Sequence, residues 1–215
     1  MKYDTYHNES AKIRDELLRR ISTLSGGVNF TLGDTSLRSD SKDGIGGLIE
    51  EWLGVWCQKK GLCIRRPDHG TSQTFPDYYV GHDNHMLEIK SFNDDASPAF
   101  DLANFDAYCL SVSEMPSRVD ADYLIFSYKL HDGYLSIEKI WLKKIWEITS
   151  PSDRWPLRTQ TKKNVIYNIR PATWYSPSPK HCVFESKQEF IKALFETQKE
   201  YSGSTFLETY EKNIT

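Results

Sequence analysis

Two short strand-like runs, Asp77-Tyr78-Tyr79-Val80 and Met86-Leu87-Glu88-Ile89-Lys90, flank the segment Gly81-His82-Asp83-Asn84-His85. Glycine, aspartate and asparagine between apolar runs are turn chemistry, so the stretch reads as a β-hairpin. Centring the turn between His82 and Asp83 sets residues whose numbers sum to 165 opposite each other. Asp77 then faces Glu88 across the ladder, with Cβ atoms about 5 Å apart. Side chains alternate along a strand, so Glu88 and Lys90 share one face while Leu87 and Ile89 turn to the core.

The rest of the chain supplies the setting. Residues 10–24 read as a helix with Ile13, Leu17, Leu18, Ile21 and Leu24 on one face. Residues 25–43 read as a polar Gly/Ser/Asp-rich loop, expected to order on DNA. A second helix over about 44–60 carries the stripe Ile45, Leu48, Ile49, Trp52, Leu53 and Trp56 and stops at Gly61. Leu62-Cys63-Ile64 is a short strand ahead of the hairpin, and residues 101–112 form a helix behind it. Asp122–Tyr128 is a strand turning at His131-Asp132-Gly133 into Tyr134–Ile137, and Val165–Ile169 is another. Ser186-x-x-Glu189 opens a last helix as a capping box. From residue 44 the order is helix, strand, strand, strand, helix, strand. The expected class is α/β, with a mixed β-sheet flanked by helices.

With 215 residues, 39% apolar and 27% charged, the chain is expected to fold as a single domain rather than stay disordered. It has no apolar run long enough to span a membrane and no hydrophobic leader, and Cys57, Cys63, Cys109 and Cys182 contain no C-x-x-C pair. A zinc site therefore has little support, and a reducing, cytoplasmic setting is expected. The net charge of −3 excludes a histone-like coat of positive charge. Its distribution is uneven, however: from Glu138 to Lys180 nine basic residues face three acidic ones, a local +6.

Two opposed carboxylates repel each other unless a cation sits between them. Hard oxygen donors that leave room for water suit Mg²⁺ better than zinc. An ammonium beside them, on Lys90, is placed to hold an attacking water and to offset charge on a phosphoryl group. The chemistry implied is hydrolysis of a phosphodiester. Pro67-Asp68 competes with Pro76-Asp77 for the metal position, but it precedes His69-Gly70 in a turn-like stretch rather than heading a strand. His82 and His85 are read as exposed turn residues, and an H-N-H metal site would need a different setting.

Pro76-Asp77 followed by Glu88-x-Lys90, on a helix–strand–strand–strand–helix–strand order, resembles the PD-(D/E)xK nuclease superfamily, which includes most type II restriction endonucleases. The resemblance covers roughly residues 44–130. That family commonly adds an acidic residue on the preceding helix, and Gly46-Gly47-Leu48-Ile49-Glu50-Glu51-Trp52-Leu53 matches with Glu50, or with Glu51 as the alternative. The resemblance implies Asp77, Glu88 and the Ile89 carbonyl as metal ligands, Lys90 positioning the water, Glu50 assisting, and ends bearing 5′-phosphate and 3′-hydroxyl. Phe105, Ala121–Phe126, Ile140–Lys144 and Ile169-Arg170-Pro171 are similar to the NgoBV-like group, whose targets are short GC-rich palindromes.

Residues 131–215 are then expected to carry DNA recognition and dimerisation. Lys162, Lys163 and Arg170, interleaved with Tyr167, Trp174 and Tyr175, suit a duplex-DNA face, the lysines taking phosphates and Arg170 reading guanine. Asn93, just past the catalytic strand, is a further candidate for DNA contact. Cutting both strands of a palindrome implies a homodimer, with the 10–24 helix and the C-terminal helix as candidate interfaces. A repair nuclease on the same core and a non-catalytic DNA-binding module are the alternatives.

Overall fold

The computed structural model describes residues 6–68 and 75–214. In chain order the elements begin with α1 (Asn8–Leu18), β1 (Ser25–Gly27), β2 (Asn29–Leu32), β3 (Thr35–Arg38), α2 (Ile45–Lys59), β4 (Ile64–Arg65), β5 (Tyr78–Val80) and β6 (His85–Asn93). They continue with β7 (Ala103–Asn104), α3 (Phe105–Glu114), β8 (Asp122–His131), β9 (Tyr134–Lys143), β10 (Thr159–Lys162), β11 (Val165–Ile169), α4 (Lys187–Ser202) and α5 (Leu207–Ile214). The expected α/β class with a mixed sheet is what the chain adopts. The chain divides into two compact units, one running to Ser97 and resuming at Asp122–Lys143, the other formed by Pro98–Ala121 and the residues from Lys144 onward.

The first unit is built on a six-stranded sheet in the order β1-β9-β8-β6-β5-β4. β6 and β8 run parallel, and the remaining neighbours are antiparallel. Every residue from Asp122 to Tyr128 of β8 is buried, which is why this central strand reads as an unbroken run rather than an alternation. α2 lays Ile45, Ile49, Leu53 and Cys57 into a core shared with Val80, Leu87, Ile89, Leu124 and Phe126, and α1 adds Ile13 and Leu17. The second unit holds a three-stranded sheet, β10-β11-β7, with α3, α4 and α5. Its core includes Phe105, Tyr108, Phe190 and Phe195, with Tyr108 and Phe190 in edge-to-face contact.

Several boundaries differ from the sequence reading, for physical reasons. The helix expected over 10–24 ends at Leu18, and a single 3₁₀ turn at Ile21–Thr23 follows. Leu24 is then drawn out of the helix because its carbonyl accepts the Ile137 N–H and β1 pairs with β9. The stretch 25–43 is no plain loop: it holds β1 and the two-stranded ribbon β2–β3. The strand read at 62–64 forms at Ile64–Arg65, and the helix read at 101–112 starts at Phe105, where Asn104 caps the Ala107 N–H. β10 and α5 were not expected, and β9 extends to Lys143, well past Ile137.

Candidate active site

The β5–β6 hairpin has the register that its turn chemistry dictates. Tyr78 pairs with Leu87 and Val80 with His85, so Asp77, one residue before the ladder, comes opposite Glu88. Gly81 and Asn84 supply the positive φ angles of the turn, at 69° and 59°. Both carboxylates are stitched to the partner strand's backbone. Asp77 Oδ2 accepts the Ile89 N–H at 2.7 Å, and Glu88 Oε2 accepts the Asp77 N–H at 3.3 Å. Lys90 Nζ donates to Glu88 Oε1 at 2.9 Å.

Glu88 is only 6% exposed, so the pair lies largely out of water. Burial pushes the Asp77 carboxyl up to about 7, and the Glu88 charge adds to the rise; the Ile89 N–H and the Lys90 ammonium oppose it. A buried acid pair that resists full ionisation is the electrostatic situation a divalent cation resolves. The donor set fits one: two carboxylates and a main-chain carbonyl, all hard oxygen, leave coordination positions for water. Among the described residues no group of three or more His, Cys, Asp or Glu side chains converges on a metal position.

α2 brings Glu50 to the same neighbourhood. Burial raises its pKa and the charge of Glu88 raises it further, while Arg66 opposes the rise. Arg66, just beyond β4, places Nη2 3.3 Å from Glu50 Oε1 and lays its guanidinium 5.3 Å from the centre of the Tyr78 ring. The Tyr78 hydroxyl crosses to α2 and donates to the Glu50 carbonyl at 2.9 Å. It can do so because residue 54 is glycine: a Cβ there would lie 2.5 Å from the hydroxyl oxygen. Arg66 and Tyr78 were missed from the sequence. The doublet Arg65-Arg66 at the end of the strand before the hairpin was the available signal for the arginine.

The rival positions lie apart from this cluster. Asp68 has an 85% exposed side chain ion-paired to Arg65 at 3.9 Å, and Glu51 is exposed. His85 is not the exposed turn residue expected. It stacks on His7 with ring centres 4.8 Å apart and lies 3.1 Å from the buried Asp122 carboxylate, which also accepts the His7 N–H. Asn93 ends β6, and its side chain accepts the Asp95 N–H.

In the second unit Lys163 and Asn164, with φ of 48° and 65°, form the two-residue turn between β10 and β11. Lys162 reaches over the Tyr167 ring, its Nζ 6.0 Å from the ring centre. The Arg170 guanidinium is held by Asp101 in an ion pair.

A family model described as NgoBV restriction endonuclease matches residues 7–213 of this chain. The type II restriction enzyme NlaIV of Neisseria lactamica is 39% identical over 194 residues, spanning 86% of this chain and 79% of that enzyme. The type II restriction enzyme NgoBV of Neisseria gonorrhoeae is 34% identical over 160 residues, 71% of this chain and 89% of its own. The solved structure of NlaIV restriction endonuclease superposes with a TM-score of 0.86 at 34% identity, covering 95% of this chain and 87% of that one.

Proposed function

The chain belongs to the NgoBV restriction endonuclease family, and on that premise we propose that it cuts both strands of a short palindromic DNA sequence as a Mg²⁺-dependent homodimer. It is a type II site-specific deoxyribonuclease, and enzymes of this kind are in general metal-dependent. The observation that carries the site assignment is the opposition of Asp77 and Glu88, with Lys90 hydrogen-bonded to Glu88.

Asp77, Glu88 and the Ile89 carbonyl would hold the cation. Bound there, Mg²⁺ supplies Lewis acidity toward a phosphoryl oxygen and lowers the pKa of a coordinated water. Lys90 is tethered by Glu88 at 2.9 Å, so its ammonium has a fixed direction. It orients the water for attack and offsets charge accumulating on the phosphoryl oxygens. Glu50, with its ionisation balanced between burial and Arg66, assists from α2. Attack of the water on phosphorus with breakage of the P–O3′ bond, the departing O3′ taking a proton, would leave 5′-phosphate and 3′-hydroxyl ends. Residues 44–130 carry the chemistry, and residues 131–215 carry recognition. Lys162 and Lys163 meet phosphates at the β10–β11 turn and Asn93 approaches the duplex past β6. Arg170 reads a base only by exchanging its Asp101 partner.

Incubation of purified protein with phage DNA, in Mg²⁺ and in EDTA, tests this directly. Discrete bands that need Mg²⁺ are expected. Asp77→Ala and Lys90→Ala should each lose cutting by a factor of at least about 10³ while still binding the duplex in Ca²⁺. Normal cutting by Asp77→Ala would falsify the site assignment.

A further inference from the structure

The ribbon β10–β11 turns one face to the core, where Ile166 and Ile169 are buried, and leaves the other open. Residues directly opposite in an antiparallel pair share a face, and faces alternate along each strand. Gln160 lies opposite Asn168, and Lys162 opposite Val165. One step before β10, Arg158 comes opposite Arg170, whose N–H donates to the Arg158 carbonyl at 3.0 Å. The open face therefore carries Arg158, Gln160 and Lys162 from one side of the ribbon and Val165, Asn168 and Arg170 from the other. A bulge keeps it so: the register shifts between Gln160 and Thr161, with Tyr167 the extra residue. In an unbroken ladder Ile166 would come opposite Lys162 and turn outward.

Two features of this face point to a ligand. Like charges directly opposite each other destabilise a ribbon, yet Arg158 and Arg170 are so placed. Asp101 pairs with Arg170. Arg158 is exposed, and its side chain makes no ion pair or hydrogen bond among the described residues. The second feature is an amide pair: Asn168 Nδ2 donates to Gln160 Oε1 at 3.2 Å. That bond orients both amides and leaves the Gln160 amino group as a donor beside Asn168 Oδ1 as an acceptor.

Charge and shape select the occupant. The open face and its turn hold Arg158, Lys162, Lys163 and Arg170 against Asp101, an excess of positive charge that suits a duplex. Phosphates alone ask only for point charges, which the lysines supply. A guanidinium fork next to a fixed donor and acceptor suits base edges. The fork matches guanine O6 and N7, while the donor and acceptor match guanine O6 and the cytosine amino group of a G·C pair. β10 is an edge strand, which puts Arg158 and Gln160 at the rim of the sheet. The major groove, about 12 Å wide, admits a two-stranded ribbon.

We propose that the open face of β10–β11 is the base-reading surface of this enzyme, set in the major groove with Arg158 on a guanine and the Gln160–Asn168 pair on a neighbouring G·C pair. This rests on the assignment of recognition to residues 131–215 and names its readers. Arg158 reaches a base without exchanging a partner, whereas Arg170 stays with Asp101. Lys162 and Lys163, at the turn end of the ribbon, take the flanking phosphates.

Duplex binding by the full-length protein in Ca²⁺ tests the proposal. The probes are a duplex bearing the site mapped from wild-type fragment ends, a set with each base pair of that site replaced in turn, and a scrambled duplex. Arg158→Ala should lose affinity for the mapped site by about tenfold to a hundredfold. Replacing one G·C pair should then cost this variant nothing further. Arg158→Lys keeps the charge but not the fork, so it should show the same loss at that pair while binding the scrambled duplex as wild type does. Gln160→Ala should relax discrimination at the neighbouring pair. A loss by Arg158→Lys shared equally between mapped and scrambled duplexes makes the face a phosphate grip, and full discrimination by both Arg158 variants removes it from the bases. Either result overturns the base-reading face. Full discrimination joined to an unchanged salt dependence in Lys162→Ala/Lys163→Ala overturns the assignment of recognition to this region as well.

Discussion

Asp77 holds its proton to about pH 7 because burial and the neighbouring Glu88 both disfavour its charge. In the unfolded chain the same carboxyl ionises near 4. Between those values the folded protein binds a proton that the unfolded chain lacks, so stability falls as pH rises from about 4 to about 7. The contribution is therefore complete at acid pH and gone above neutrality. For the protein in EDTA the loss should be of order 2 kcal/mol, after allowance for partial solvation. Urea unfolding at pH 5 and pH 8 measures it, and Asp77→Asn should show little of that difference. The opposition of Asp77 and Glu88 was legible in the sequence because both residues sit on one hairpin, whose turn fixes the register locally. The role of Arg66 was harder to read: the Arg65-Arg66 doublet marked the arginine, but its partners come from α2 and β5 and nothing nearby in sequence announces them.

At the scale of elements, the join between α2 and β5 depends on a missing side chain. A mid-helix glycine costs roughly 1 kcal/mol against alanine. Here it leaves room for the Tyr78 ring and for its hydrogen bond to the Glu50 carbonyl. Gly54→Ala gains the helix propensity but displaces a buried ring beside Asp77, an overpacking cost of about 1–3 kcal/mol. The expected outcome is a lower melting temperature and a cleavage rate reduced about tenfold or more, since displacement near reacting groups is costly. Thermal melts and single-turnover cleavage check the two halves separately. The ribbon β2–β3 was misread as a loop because Gly, Ser and Asp dominate its surroundings. The alternation Phe30-x-Leu32 and Thr35-x-Leu37 about Gly33-Asp34 was the signal that reveals it. β1 gave no such signal, since three small residues form a strand only by pairing with β9 more than a hundred positions away.

For the whole molecule, a net charge of −3 conceals how many of the cations between 138 and 180 are already engaged. Lys139 is paired with Asp94, Arg170 with Asp101 and Lys180 with Asp153, while Lys144 is buried against the Asp120 carbonyl. Lys162 and Lys163, exposed at the β10–β11 turn, are the better candidates for phosphate contact. Replacing both with alanine should weaken specific and non-specific duplex binding alike and reduce the slope of log K against log salt by about two. Titrations over a range of salt in Ca²⁺ measure this, and an unchanged slope removes these lysines from the interface. The local +6 was legible in the sequence, but the pairing of Lys139 and Arg170 that offsets two of those charges was not, because Asp94 and Asp101 lie outside that stretch.

The strand order β1-β9-β8-β6-β5-β4 also has a consequence for synthesis. The hairpin bearing Asp77, Glu88 and Lys90 leaves the ribosome before either β8 or β9 exists, and β1, made earlier still, waits for β9 as its partner. A nascent chain therefore cannot close the catalytic sheet until β9 has been translated as far as Lys143, since non-local pairings form only once both strands are present. A chain that stops short of residue 143 would leave the acidic pair on an unfinished sheet, lacking part or all of β9.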